Sequence, residues 1–468
     1  MLIYLKKCFL SINLYLLFFL IWIIKQIDYS FSTLPIYQNF SIILIITFSF
    51  TFVLLILAIL NLINKKKFFQ YFSVIFLSLF IINLLFDSFS EKTKNIQNEM
   101  FYKSLLKDKN SNYKFDFRTK KQVVEDLKKE TNSNVYPVTH PKYKINLKDY
   151  SYKDIFPLSG ISKSTVVFCN ESGEYSIYQS DRYGFNNPDI NYDNNTKERV
   201  MLIGDSFVHG ACVDQEDTLS SQLNKVNIPS FSISYGGNGP LLELATLIEY
   251  IHVLKPKIVI WFYCNNDLTD LFHEKKSEIL VKYLQENNFK QNLSQRQNEI
   301  DIYWKEVLSK DFDLDDDVNY IKNTNLLKKY LKKIERAFLL KPIRDILKNY
   351  YKRELENFYL ERNENNLELF KKIIYKAKTI SEENDASFYF VYLPFLENIQ
   401  NPSKSSNIKN EITKIIKDLD VEFIDFQDYV LYEINKPETL FPIINHGHYN
   451  SKGYKALSGF LLKSLGTF

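Results

Sequence analysis

Val200-Met-Leu-Ile-Gly-Asp-Ser-Phe-Val-His-Gly210 is the stretch on which the reading of this chain turns. A short apolar run ends abruptly at Gly204-Asp205-Ser206, and a second glycine follows at Gly210. Val200 to Ile203 predicts a buried strand, and Gly204 lets the backbone turn sharply after it. Ser206 is then expected at the carboxyl edge of a sheet, where α/β folds bind ligands and where a nucleophilic serine is presented. Outward from this point the pattern alternates. Strands are predicted over 200–205, 228–233 and 257–263, with helices around 217–225 and 240–253 between them. The alternation resumes with a helix over 364–382, a strand Ser387–Leu393, a helix over 406–418, a strand Val421–Phe426 and a final helix Ser451–Leu465. Such an order calls for a three-layer α/β/α fold around a central parallel sheet.

Ahead of this core the chain changes in kind. Its averages, 46% hydrophobic and 24% charged, suit a soluble protein, yet Phe9–Ile24, Phe40–Ile63 and Phe68–Phe86 are nearly charge-free. Each is close to the ~20 residues that cross a bilayer as a helix. Residues 1–87 are therefore expected to form three transmembrane helices, with no small-residue cleavage site after the first,. Lys6 and Lys7 precede the first span and Lys65, Lys66 and Lys67 separate the second from the third, so both basic segments are expected in the cytoplasm,. Everything after Asp87 then lies on the periplasmic, or extracytoplasmic, side of an inner membrane.

Residues 88–133, rich in Lys, Asn, Glu and Asp, are read as a polar stalk, and 134–195 as a small β-rich lead-in with strand-like pieces at Ser164–Cys169 and Tyr175–Gln179,. The catalytic domain is expected over 196–468. It carries an insertion at about 270–363 with no strand signal, in which Leu327, Tyr330, Leu331, Ile334 and Phe338 recur at helical spacing,. This predicts a helical lobe, either a lid over the strand ends or a packed elaboration. The net charge of +4 is spread over mixed Lys, Glu and Asp stretches, so no basic stripe points to nucleic acid,. Four cysteines are too few for a disulfide scaffold,. Outside the cytoplasm Cys169 and Cys212 are candidates for a bridge if their Cα atoms approach within ~7 Å, the alternative being two buried thiols.

Four blocks together resemble the SGNH, or GDSL-type, hydrolase family: Gly204-Asp205-Ser206, Tyr235-Gly236-Gly237-Asn238-Gly239, Cys264-Asn265-Asn266-Asp267 and Gly447-His448-Tyr449-Asn450-Ser451-Lys452-Gly453. Their order matches that family over about 200–270 and 385–468, and Ser180-Asp-Arg-Tyr-Gly-Phe-Asn-Asn-Pro188 looks like the lead-in of its membrane-anchored bacterial members. The resemblance implies a flavodoxin-like sheet and assigns Ser206 as nucleophile and His448 as its base. It also assigns an oxyanion hole built from the Ser206 and Gly237 backbone N–H groups and the Asn266 amide. Those roles make chemical sense, because a serine hydroxyl needs a base within hydrogen-bond reach and the tetrahedral intermediate needs donors.

One member is missing from the pattern. The family's aspartate precedes the histidine by two or three residues, where this chain has His446 and Asn445. Loss of the orienting carboxylate costs ~10⁴-fold in serine proteases. Asn445, Asp425 and Asp428 are the candidates to orient His448, giving a working dyad; otherwise the chain is a degenerate, glycan-binding or assembly protein. His446, His448 and His209 suggest a metal site only weakly, since no carboxylate or cysteine set accompanies them, so neither metal nor cofactor is expected. His209 is read as a wall of the active-site loop and Cys264 as an inert thiol. The expected activity is that of a membrane-anchored serine esterase removing O-acyl groups such as acetyl from a carbohydrate. O-acyl transfer onto a surface polysaccharide, with a multi-spanning acyltransferase partner, is the second reading.

Overall fold

The computed structural model of the chain describes residues 116, 118–131, 133–145, 147, 154–193, 198–310, 364–442 and 447–466. The three expected membrane spans, most of the stalk, positions 311–363 of the insertion, and Asn445 with His446 lie outside the described residues. Among the described residues no helix is long and apolar enough to cross a membrane.

Among the described residues there are eight strands: β1 Val135–Pro137, β2 Thr165–Val167, β3 Ile177–Gln179, β4 Val200–Ile203, β5 Ser230–Ser232, β6 Ile258–Tyr263, β7 Ser387–Tyr392 and β8 Glu422–Asp425. The last five form one sheet in the order β5-β4-β6-β7-β8, every pair parallel. Counted from β4, this is the 2-1-3-4-5 order of flavodoxin-like folds, whose ligands bind at the carboxyl ends beside the point of reversal. Leu202 of β4 pairs with Ser232 of β5 and with Ile260 of β6. All four residues of β4 are buried, as are all but the first of β6, because helices cover both faces of a parallel sheet,.

The helices are α1 Lys120–Thr131, α2 Ser206–His209, α3 Leu219–Lys225, α4 Pro240–Leu254, α5 Asp267–Glu274, α6 Glu278–Gln285, α7 Gln297–Lys310, α8 Glu364–Glu383, α9 Leu396–Gln400, α10 Pro402–Asp418, α11 Phe426–Glu433 and α12 Ser451–Ser464. Pro240 opens α4, and the N–H groups of Gly239 and Leu241 donate to buried Glu274 at 2.6 and 2.9 Å. A carboxylate thus meets the positive end of that helix. One apolar cluster joins Leu202, Ile260, Phe262 and Val391 of the sheet to Phe207 and Val208 of α2, and to Tyr449, Tyr454, Leu457 and Leu461 at the chain's end. Each fully buried side chain of this kind contributes roughly 1.5–3 kcal/mol. The same core therefore anchors the turn carrying Ser206 and the loop carrying His448, with the Phe207 and Tyr449 rings 4.8 Å apart.

The lead-in is a second, three-stranded sheet in which β1 runs parallel to β2 and β3 antiparallel to it. Helix α1, which the composition places in the stalk, packs Val123 and Val124 against Val135 and Val167 of this sheet. In the Ser180–Pro188 run, buried Asp181 accepts from the Tyr183 and Phe185 N–H groups, the Asn187 amide and the Tyr192 hydroxyl. Asn187 also donates to Ser232 O and accepts from Ser232 N, which satisfies the outer edge of β5,. The lead-in and the parallel sheet thereby fall in one compact unit. The described part of the insertion, 270–310, is helical and docks on 156–162. Trp304 Nε1 donates to Ser159 O, and Asp301 accepts from the Ser162 N–H and hydroxyl. Those contacts make this part a packed elaboration.

Candidate active site

Ser206 is the first residue of α2, directly after the turn that ends β4. Asp205 caps this short helix by accepting from Phe207 N at 2.9 Å, and Gly210 closes it in the left-handed conformation. His448 comes from the opposite end of the chain, in the loop before α12. That loop is pinned by Asn450, whose amide donates to Thr439 O and Phe441 O while its carbonyl accepts from Gly453 N. The two segments meet: Ser206 Oγ lies 2.7 Å from His448 Nε2.

The other face of the imidazole is also occupied. Nδ1 lies 2.9 Å from Glu171 Oε1, and Glu171 Oε2 accepts the backbone N–H of His448 at 2.8 Å. An ionised carboxylate can only accept, so Nδ1 carries the proton and Nε2 presents its lone pair to the Ser206 hydroxyl. Burial pushes the Glu171 carboxyl up, but the charge of His448 and the two hydrogen bonds from it prevail, and its pKa falls below the ordinary 4.5. Gly447 makes the approach possible, because a Cβ there would lie 2.5 Å from Glu171 Oε2.

Glu171 makes the contact to His448 that the sequence pattern left without a carboxylate, and neither Asp425 nor Asp428 makes it. Asp425 caps α11 through Asp428 N and, with Asp428, receives Lys409 Nζ, at 2.6 and 2.7 Å respectively. With Lys409 as their shared cation, neither carboxylate orients the imidazole. Asn445 lies outside the described residues. Glu171 escaped the sequence reading because it belongs to the lead-in, 277 residues before His448. One signal was available, its position two residues after Cys169. Cys169 and Cys212 are bridged, with Cα atoms 5.0 Å apart, and Cys212 follows Ser206 by six residues.

The remaining blocks gather around the same hydroxyl. A Cβ on Gly236 would lie 3.6 Å from Ser206 Cβ, so the 235–239 loop passes beside Ser206. Gly237 adopts φ +71°, and a side chain there would strike the Lys142 ammonium, which lies over it from the lead-in. Asn266 does not cap α5 with its side chain. Its amide donates to Asp270 Oδ2 at 2.8 Å and Asp205 Oδ2 at 3.2 Å. Asp205 Oδ2 is itself 3.3 Å from Ser206 Oγ. The amide is thus one carboxylate away from the reacting centre, and donating to an oxyanion requires it to release one of these acceptors. Burial pushes Asp270 up to about 6, against the Asn266 hydrogen bond and the charge of Lys142.

His209 is fully buried and held well below its ordinary pKa, first by burial and then by the neighbouring His140 and His448. It accepts from Gly236 N at Nδ1 and pairs with the Tyr178 hydroxyl at Nε2, so it buttresses the 235–239 loop from behind. Cys264 is a free, buried thiol whose pKa burial and then Asp205 and Asp267 drive upward, which leaves it protonated and unreactive,. Among the described residues, one trio of metal-ligating types clusters, Glu171, Cys212 and His448. The sulfur belongs to the bridge and the other two groups bond one another.

No family model and no curated protein matches the chain. Solved structures do. The lipase/acylhydrolase from Enterococcus faecalis is 11% identical, with 57% of this chain and 95% of that one covered and a TM-score of 0.31. The psychrotrophic esterase EstA from Pseudoalteromonas sp. is 11% identical, covering 57% and 96% at a TM-score of 0.29. The family 3 carbohydrate esterase of Clostridium thermocellum is 12% identical, covering 57% and 94% at 0.28.

Proposed function

We propose that this chain, whose four blocks and catalytic trio follow the SGNH, or GDSL-type, hydrolase pattern, is a serine esterase. The observation that carries the reading is His448 bridging Ser206 and Glu171 at 2.7 and 2.9 Å. As an acyl ester enters, Ser206 Oγ attacks the carbonyl while His448 Nε2 takes its proton, and Glu171 balances the imidazolium. The backbone N–H groups of Ser206 and Gly237, with the Asn266 amide turned from Asp270 or Asp205, are the donors for the oxyanion. His448 then protonates the departing alcohol, and a water activated by the same nitrogen releases the acid and frees Ser206. The degenerate, binding-only reading rested on a missing carboxylate, and Glu171 occupies that role.

The substrate in this proposal is an O-acyl, chiefly acetyl, ester on a carbohydrate, handled outside the cytoplasm by a domain tethered through residues 1–87. Support comes from the three apolar runs, from the family resemblance and from the Cys169–Cys212 bridge, since such bonds persist in oxidising compartments,. The test is turnover of p-nitrophenyl acetate and acetate release from acetylated glycans by the purified protein. Both are expected to vanish in Ser206→Ala. A folded wild type inert towards every ester would refute the reading.

A further inference from the structure

We infer that the Cys169–Cys212 disulfide is a positioning device for catalysis, holding the triad's acid against its histidine so that the oxidised chain is the competent one. The inference rests on the esterase reading. Glu171 sits at the tip of the turn between β2 and β3, which closes through Phe168 N to Ser176 O and Ser176 N to Cys169 O, both 2.9 Å. Within the turn, Gly173 N donates to Asn170 Oδ1, and the Asn170 amide and Gly173 carbonyl bond only to the backbone of Asp116. Beyond the pair of hydrogen bonds to His448, the hairpin reaches the segment of Ser206 through the Phe168 ring, 4.4 Å from that of His209, through the Tyr178 hydroxyl on His209 Nε2, and through the bridge, which is the covalent link and attaches two residues from Glu171.

Its placement is direct. Cys169 is two residues from Glu171, and Cys212 lies just past the end of α2, where Ala211 N bonds back to Ser206 O at 3.0 Å. One ligating atom each of Glu171, Cys212 and His448 lie within 4.8 Å of one another. The covalent bond thus closes a ring through Ser206, His448 and Glu171, and it makes the acid's approach effectively intramolecular with the nucleophile's helix. Reduction by a dithiol breaks the S–S bond. Each sulfur leaves as a thiol, and the dithiol is oxidised to its cyclic disulfide. The acid then keeps its two hydrogen bonds to His448, on a hairpin that rests on α2 through Phe168 and Tyr178 without a covalent tie, and its carboxylate is 22% exposed.

The experiment compares full-length protein, oxidised and dithiothreitol-reduced, with thiol titration confirming the gain of two thiols and circular dichroism following the fold. In the oxidised state we expect turnover. Reduction, and separately the Cys169→Ser/Cys212→Ser pair, is expected to lower kcat at least ~10-fold with KM within ~2-fold, inside the ~10⁴ ceiling set by complete loss of an orienting carboxylate. Reoxidation of the wild type restores it. In Glu171→Gln, where the acid is already gone, reduction is expected to change the labelling rate at Ser206 by less than ~2-fold, because the bridge acts through Glu171. Unchanged kcat with two thiols counted overturns the inference and leaves the esterase reading standing. An equal fall in Glu171→Gln overturns it in favour of general support of the fold. An oxidised protein that neither turns over nor labels defeats the esterase reading and this inference with it.

Discussion

Replacing Glu171 by Gln removes a charge and one acceptor while keeping the side chain's shape. Two donors converge on the carboxylate, Nδ1–H of His448 at 2.9 Å and its backbone N–H at 2.8 Å. Glutamine offers one acceptor oxygen and one NH₂, so one of the two donors must face another donor. If the backbone keeps the oxygen, the imidazole gains by moving its proton to Nε2, and the Ser206 hydroxyl loses its base. The fully buried precedent costs ~10⁴-fold, or ~5.4 kcal/mol. Glu171 is 22% exposed, so water can take up part of the lost bonding. The expected fall in kcat is therefore ~10²- to 10³-fold, or ~2.7–4 kcal/mol, with KM within ~2-fold because the carboxylate does not touch the ester. Steady-state hydrolysis of p-nitrophenyl acetate at pH 7 measures it. A fall below ~5-fold would refute the assignment of Glu171 as the orienting acid. The same variant has a stability signature. The folded pKa of Glu171 lies below its ordinary 4.5, so in the wild type the group's contribution is present above that value and lost as pH falls through the depressed one,. Urea midpoints should fall less steeply below pH 4.5 in Glu171→Gln than in the wild type.

Other substitutions separate this site from its rivals. Asp425→Asn removes a partner of Lys409 at the N-cap of α11, and kcat is expected to stay within ~3-fold by the same assay, whereas a true orienting acid would cost at least ~10²,. Gly237→Ala places a Cβ against Lys142 at φ +71°, which shifts the N–H proposed as an oxyanion donor, and a loss of at least ~10²-fold in kcat with a folded circular-dichroism spectrum is expected,. Cys264→Ala should leave turnover within ~3-fold, since that protonated thiol reaches only Asp205 Oδ1, at 3.7 Å,.

The parallel sheet was legible because its strands are buried on both faces and announce themselves as unbroken apolar runs, and the first three motif blocks follow the carboxyl ends of β4, β5 and β6,. Helices were placed to within a few residues where they are long, as for Pro240–Leu254 and Glu364–Glu383. The four-residue helix that begins at Ser206 is too short to carry a period, and Phe426–Glu433 has too little amphipathic contrast to stand out,. Glu171 was not legible because no local rule joins a turn in a peripheral hairpin to a histidine loop 277 residues later. The contacts that seat the hairpin are tertiary: Phe168 and Tyr178 on His209, and the bridge from Cys169 to Cys212, which the sequence left open between a disulfide and two buried thiols. Asn266 shows the same limit in reverse. Its position was readable from the motif, but its present engagement pairs a local carboxylate, Asp270 in the first turn of α5, with Asp205 from the turn after β4, 61 residues earlier.

Fluorophosphonate labelling with mass-spectrometric mapping reaches the central claim, that one imidazole couples Ser206 to Glu171, most directly. The account predicts a single adduct on Ser206 in the oxidised wild type, none in Ser206→Ala, and a labelling rate that collapses in His448→Ala and falls at least ~10²-fold in Glu171→Gln. An adduct on another residue, or His448→Ala labelling as fast as the wild type, would contradict it.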